Sequence, residues 1–294
     1  MKELKKVFSC AFLFALIVLL FAPILRGQGQ SEVVAITRLK NLSKGFNLYT
    51  EANDEHFPYA YRMDEFHVYW NYYIEVPAGW RMSTDAYKEF TYSRAWCNST
   101  QAYIEDYRVL AAPAVTKVKE KDVDYEKKKK DYASSTYTYN GLLHLLPKSS
   151  VANPSKLPLI WQGLGHAELL GFALSNPALY CGSNVPPSDC MYKKFQNEYF
   201  NGVIFAPYSM WSYERGAHFL SVDGTVRFIP LGGTLEFAKT DQYTDPFAGY
   251  DMNGKPTAYW TAEGYPFLFR PDYDFEESRQ DVAINDFFAK AIVD

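Results

Sequence analysis

From Ala35 onward the apolar positions fall at Ala35, Leu39, Leu42, Phe46 and Tyr49, spaced by four, three, four and three residues. That period puts all five on one stripe of an α-helix. Lys40, Lys44, Asn47 and Glu51 fall on the other side. Gly45 interrupts the helix at a cost of about 1 kcal/mol relative to alanine. Asn53-Asp54 supplies a stop, and Phe57-Pro58 closes any helical continuation. Upstream, Val7 to Leu25 is an uncharged apolar run of 19 residues. At about 1.5 Å per residue it matches a bilayer core of about 30 Å. The two stretches follow each other with little break, which predicts one rod, greasy first and amphipathic second.

After Pro58 the pattern changes to short aromatic and β-branched runs between Gly, Pro, Asn and Asp. Strands are predicted over Phe66 to Val76, Arg108 to Val115, Ser135 to Leu143 and Leu157 to Gly165. The clearest hairpin is His218 to Ile229, with Asp223-Gly224 as its two-residue turn. Lys117 to Tyr132 mixes seven lysines with five acids and reads as a solvated loop or exposed helix. Ile284 to Ile292 fits a short terminal helix. No Pro/Gly/Ser-rich linker divides the chain, so residues 1–30 form a stub and membrane segment and 31–294 one domain.

Composition sharpens this. Apolar residues make up 48% of the 294-residue chain and aromatics 17%, enough for a substantial core. The net charge of -4 argues against a nucleic-acid partner. Lys2, Lys5 and Lys6 precede the apolar run, which keeps the N-terminus cytoplasmic and sends the rest across. The competing reading is a secretory signal cleaved at Gly27-Gln28-Gly29. Cys181 and Cys190 bound a short loop of turn formers, so a local disulfide is one reading outside the cytoplasm and free thiols the other.

Two segments carry a family resemblance. LKNLSKGFNLYTEANDEHFP (Leu39 to Pro58) resembles the pattern LKQLGLALQMYADDNDGRFP of bacterial pseudopilin-like proteins with an N-terminal prepilin-type segment. Leu39, Lys40, Leu42, Tyr49, Asn53, Asp54, Phe57 and Pro58 stand in register. GAHFLSVDGTVRF (Gly216 to Phe228) is similar to the family's C-terminal pattern, in which a His precedes Asp-Gly by nine residues. Gly216, Ala217, Asp223, Gly224, Val226 and Phe228 match, while Tyr213 replaces the leading His and His218 fills a usual Asn position. No Gly-[Phe/Met]-Thr-Leu-x-Glu cleavage signal is present, and no Glu stands early in the apolar run. The resemblance therefore implies the anchored helix without its polymerisation chemistry.

It implies an α+β, pilin-like fold with long loops, in which the stripe from Ala35 to Tyr49 packs on an antiparallel sheet. The implied role is non-enzymatic: a single-pass inner-membrane protein with a periplasmic or cell-surface domain. Its partners would be the inner membrane and like subunits or machinery of a type II secretion or type IV pilus-like system. The alternative is a secreted or anchored binding module for carbohydrate or protein, using an aromatic-rich surface.

Other chemistry is sparse. Gly163-Leu164-Gly165 lacks the spacing and βαβ setting of a nucleotide loop. His166 and Glu168 share a strand face but lack a third ligand. Asp241, Asp245, Asp251 and Asn253 offer oxygen ligands suited to calcium, as in a C-terminal loop of the major pseudopilins. Their plainer reading is turn formation. His218 and Asp223 invite a His-Asp pair, but the turn already accounts for Asp223.

Overall fold

The computed structural model describes residues 30–61, 73–82, 86–113, 116–165, 167–179, 190–192, 200–201, 216–230, 249–250, 256–257 and 267–273. The first element, α1, is a continuous helix over residues 30–52, roughly 34 Å long at 1.5 Å per residue. Ala35, Leu39, Leu42 and Phe46 are at most 1% exposed, and Tyr49 is half-buried. Lys40, Asn41, Lys44 and Glu51 face solvent. The Asn53 amide donates to the Tyr49 carbonyl at 2.7 Å, and the Asn53 and Glu55 N–H groups both reach the Thr50 carbonyl. Asp54 and Glu55 take left-handed φ values of 51° and 59°, which turns the chain out of the helix. Phe57 then enters the core, its N–H bonded to the Leu146 carbonyl.

The main sheet has six strands: β1 (Ile74–Glu75), β4 (Thr138–Tyr139), β5 (Pro158–Trp161), β7 (Phe172–Ser175), β10 (Gly216–Ser221) and β11 (Val226–Pro230), in the order β1-β7-β4-β5-β10-β11. A second sheet orders β2 (Thr116–Val118), β6 (Ala167–Leu170) and β3 (Ser134–Ser135) as β2-β6-β3. Two short pairs complete the set: β8 (Ala178–Leu179) with β9 (Phe200–Asn201), and β12 (Gly249–Tyr250) with β13 (Pro256–Thr257). The antiparallel expectation needs correction. β4 runs parallel to β7, and β2 parallel to β6, so both larger sheets are mixed.

Three local expectations also change. Arg108 to Val115 does not form a strand among its described residues: Tyr107–Leu110 is a 3-10 turn capped by the Asp106 carboxylate on the Arg108 N–H. The chain becomes extended only at Ala111. The hairpin loop has three residues, because the Ser221 N–H bonds the Thr225 carbonyl and leaves Val222, Asp223 and Gly224 to turn. The Gly224 N–H returns to the Ser221 carbonyl, and Gly224 takes φ 90°, a turn followed by a left-handed glycine. Finally, residues 86–104, for which the sequence pattern predicts no element, contain helices α2 (Ala86–Ser93), α3 (Trp96–Ser99) and α4 (Gln101–Ile104). Of these, α3 and α4 lie against one flank of α1. A Cβ on Gly45 would lie 2.4 Å from Ile104 Cδ1, so this glycine admits α4 to the helix surface.

One buried apolar cluster includes Leu39, Leu42, Phe46, Trp96, Tyr139, Trp161 and Phe219. Trp96 lies against Phe46 and Tyr139, with centroids at 6.3 and 5.8 Å. Cys97 beside it is fully buried and free, and burial pushes its thiol pKa well up. Trp161 stacks on Phe219 at 5.3 Å and touches Phe269 at 5.2 Å. A second core gathers on Trp80, whose indole N–H donates to the Gly171 carbonyl at 2.6 Å. Tyr125 and Tyr132 of the lysine-rich loop pack on that indole, so the loop is pinned at two points while its lysines stay at the surface.

Candidate functional site

The hairpin that carries the second half of the resemblance meets α1 at two points. At the start of the helix the Glu32 carboxylate lies 3.2 Å from His218 Nε2. The His218 backbone N–H donates to the Gln162 side-chain carbonyl at 2.7 Å, and Phe228 meets the imidazole edge-on at 5.4 Å. Burial lowers the His218 pKa, with Glu32 pulling the other way. One turn on, the Tyr137 hydroxyl donates to the Ala35 carbonyl at 2.9 Å. At the far end a Cβ on Gly224 would lie 2.9 Å from Ser43 Oγ. The hairpin thus follows the helix from Glu32 to Ser43, about three turns.

Each motif residue then has a physical task. Gly216 leaves room for the Phe228 ring, which a Cβ would meet at 2.3 Å. Ala217 is fully buried. Asp223 accepts from the Thr225 N–H at 2.8 Å and the Thr225 hydroxyl at 2.9 Å, fixing the loop. Gly224 supplies the left-handed bend and the close approach to Ser43. His218 pairs with Glu32, the partner that sequence reasoning missed. The available signal was position: Glu32 stands three residues before Ala35 on the flank of the stripe. Asn53, Asp54, Phe57 and Pro58 form the helix exit at the other end.

Beyond these contacts, an open cleft of about 520 Å³ lies beside Arg38 of α1, lined among others by Tyr107, Arg108, Tyr132, Ser134 and Glu168. The Arg38 guanidinium donates to the Ala111 carbonyl, and Ser134 to the Glu168 carboxylate. The Arg108 guanidinium on Asp106 holds that carboxyl below its ordinary range. Burial pushes the Tyr107 phenol up to about 12. Among the described residues no imidazole or thiol lines this cleft.

Asp241, Asp245, Asp251, Asn253, His166 and Cys181 lie outside the described residues, as do the apolar run Val7 to Leu25 and the segment Ile284 to Ile292. Cys190 is fully buried and disulfide-bonded. Among the described residues no group of three His, Cys, Asp or Glu side chains is placed to hold a metal ion. No helix among them is long and apolar enough to cross a membrane. Compared with models of known families, with curated proteins and with solved structures, the chain matches none.

Proposed function

We propose that this chain is a membrane-anchored, pseudopilin-like structural protein of a type II secretion or type IV pilus-like system, working without catalysis. One observation carries the reading. The helix described from residue 30 onward buries Ala35, Leu39, Leu42 and Phe46 in the body and lies along the Asp-Gly hairpin. These are the two segments on which the family resemblance rests. Phe46 meets Tyr139 of β4 at 5.4 Å, and the Tyr137 hydroxyl beside β4 caps the Ala35 carbonyl, which supports packing of the helix on the main sheet. In this reading the first half of the rod sits in the inner membrane. The exposed side of α1, with Thr37, Lys40 and Lys44, is the face offered to like subunits or secretion machinery.

The binding-module alternative draws no support from the described part of the aromatic tail. Leu268, Phe269 and Tyr273 are all buried, and the Phe269 carbonyl accepts from the Asn140 side chain.

Membrane fractionation of cells making the full chain, followed by N-terminal sequencing, tests the anchor. The expected result is a carbonate-resistant membrane protein that keeps residues 7–25. A soluble product starting near Gln28 or Gln30 defeats it. Photo-crosslinking from position 37 or 40 tests assembly: adducts with copies of the chain or with machinery proteins are expected, and their absence reduces the reading to a solitary anchored domain.

A further inference from the structure

At the helix exit sits a buried histidine that the function above does not use. His144 is fully buried, packed edge-on to Tyr59 at 5.5 Å and stacked on Tyr61 at 5.0 Å. Its Nδ1 accepts the Ala60 backbone N–H at 2.9 Å. An imidazole that accepts at Nδ1 carries its proton on Nε2. Nε2 is buried and has no hydrogen-bond partner among the described residues. The ring is therefore fixed in one neutral tautomer by one hydrogen bond to the chain leaving α1.

That bond belongs to a larger seam. The Phe57 N–H donates to the Leu146 carbonyl at 3.0 Å, the Lys148 N–H to the Glu55 carbonyl at 2.8 Å, and the Tyr61 hydroxyl to the Gly141 carbonyl at 2.8 Å. Residues 55–61 are thus docked on residues 141–148. The titratable groups around the ring are Tyr59 and Tyr61 on the exit segment and Tyr139 on β4, and the Arg94 guanidinium lies 4.9 Å from the Tyr59 ring. Tyr139 is itself buried and bonded to the Leu143 carbonyl. Glu55 and His56 are exposed, Lys148 is half-buried, and the seam contacts of these three run through their backbones. Among the described residues no carboxylate faces the imidazole, in contrast to Glu32 at His218.

We propose that His144 is an acid-operated catch: uncharged it holds the exit segment on the body, and charged it releases that segment and the last turn of α1. A second proton can go only to Nδ1, where the new N–H faces the Ala60 N–H. Acceptor becomes donor, the hydrogen bond is lost, and a buried charge is left without a counter-ion. The stacked Tyr61 face attracts a cation but supplies neither an acceptor nor water. Opening the seam hydrates the imidazolium, so proton uptake and release of residues 57–61 occur together. Burial holds the pKa of the closed form down to about 3, while the opened form regains an ordinary imidazole value near 6.5.

The test uses the full chain in lipid nanodiscs, so that it does not depend on the fate of residues 7–25. Hydrogen exchange of residues 57–61, corrected for intrinsic rates, is followed from pH 7 to pH 4. The opening equilibrium is expected to rise up to about tenfold per pH unit below the ordinary imidazole range. His144→Asn offers an amide oxygen near the Nδ1 position that does not titrate, and is expected to give a flat profile. Superimposable profiles for the two proteins overturn the proposal. Nitrogen NMR of labelled histidine supplies a second readout on the unmutated chain, in case the variant does not fold. An unprotonated Nδ1 at pH 5, with charging and loss of protection in step, is expected. A ring that charges near pH 6.5 while residues 57–61 stay protected overturns the proposal.

Discussion

The two ends of α1 each bury an imidazole, and the two environments differ in one respect. His218, at the first turn, has a carboxylate at 3.2 Å, and that carboxylate is 43% exposed. His144, at the exit, has only neutral neighbours among the described residues and a single backbone N–H to accept. Both pKa values are lowered by burial, but only at His218 does a charge pull back. A proton arriving at the first turn meets a partner that water can still reach. At the exit it meets a donor. One helix is thus fastened by a joint that tolerates charge and by another that does not.

The comparison can be broken most sharply at the exit end. Trp96→Ala removes the indole that packs against both Phe46 and Tyr139, and is expected to cost about 3–5 kcal/mol in urea denaturation. The next effect is pH dependence. The folded pKa of His144, about 3, lies below its ordinary value of 6.5, so the unfolded chain binds the extra proton. The stabilisation is complete above about pH 6.5 and is lost as pH falls toward 3, at about 1.4 kcal/mol per unit. Denaturation between pH 7 and 4 is expected to show that slope, and His144→Asn to remove it. A variant that keeps the slope places the acid sensitivity elsewhere. Gly224→Ala, at the hairpin tip, combines a left-handed φ with the approach to Ser43 and is expected to cost about 1–2 kcal/mol. The smallest effect is Glu32→Gln. An ion pair with an exposed partner contributes at most about 1 kcal/mol, so stability hardly changes, but an NMR titration is expected to show the His218 pKa moving further down. An unchanged value means that Glu32 is not the group pulling it up.

What the sequence disclosed follows the range of the interactions. Period 3.6 over Ala35 to Phe46 is a local signal, and those side chains are buried as that signal requires. The stop at Asn53-Asp54 was equally local, since the Asn53 amide caps its own helix. The hairpin was legible from Asp223-Gly224, but its loop length was not. Whether Ser221 pairs with Thr225 depends on register, which β5 and α1 help to set. Helices α3 and α4 are four residues each, too short for any period, and exist because Trp96 packs on Phe46 and Tyr139. The strand expected over Arg108 to Val115 failed because the Asp106 carboxylate caps a turn there. The mixed sheets, the Glu32–His218 pair and the neutral cage around His144 join residues far apart in the chain, and no spacing announces them.

Cys97 has a practical consequence. It lies sealed next to Trp96, its sulfur held in the unreactive thiol form. An alkylating reagent cannot reach it until the packing of α3 on α1 comes undone. The chain therefore carries its own stopwatch: the rate at which this sulfur is captured times how often that part of the molecule opens, with no dye or tag attached.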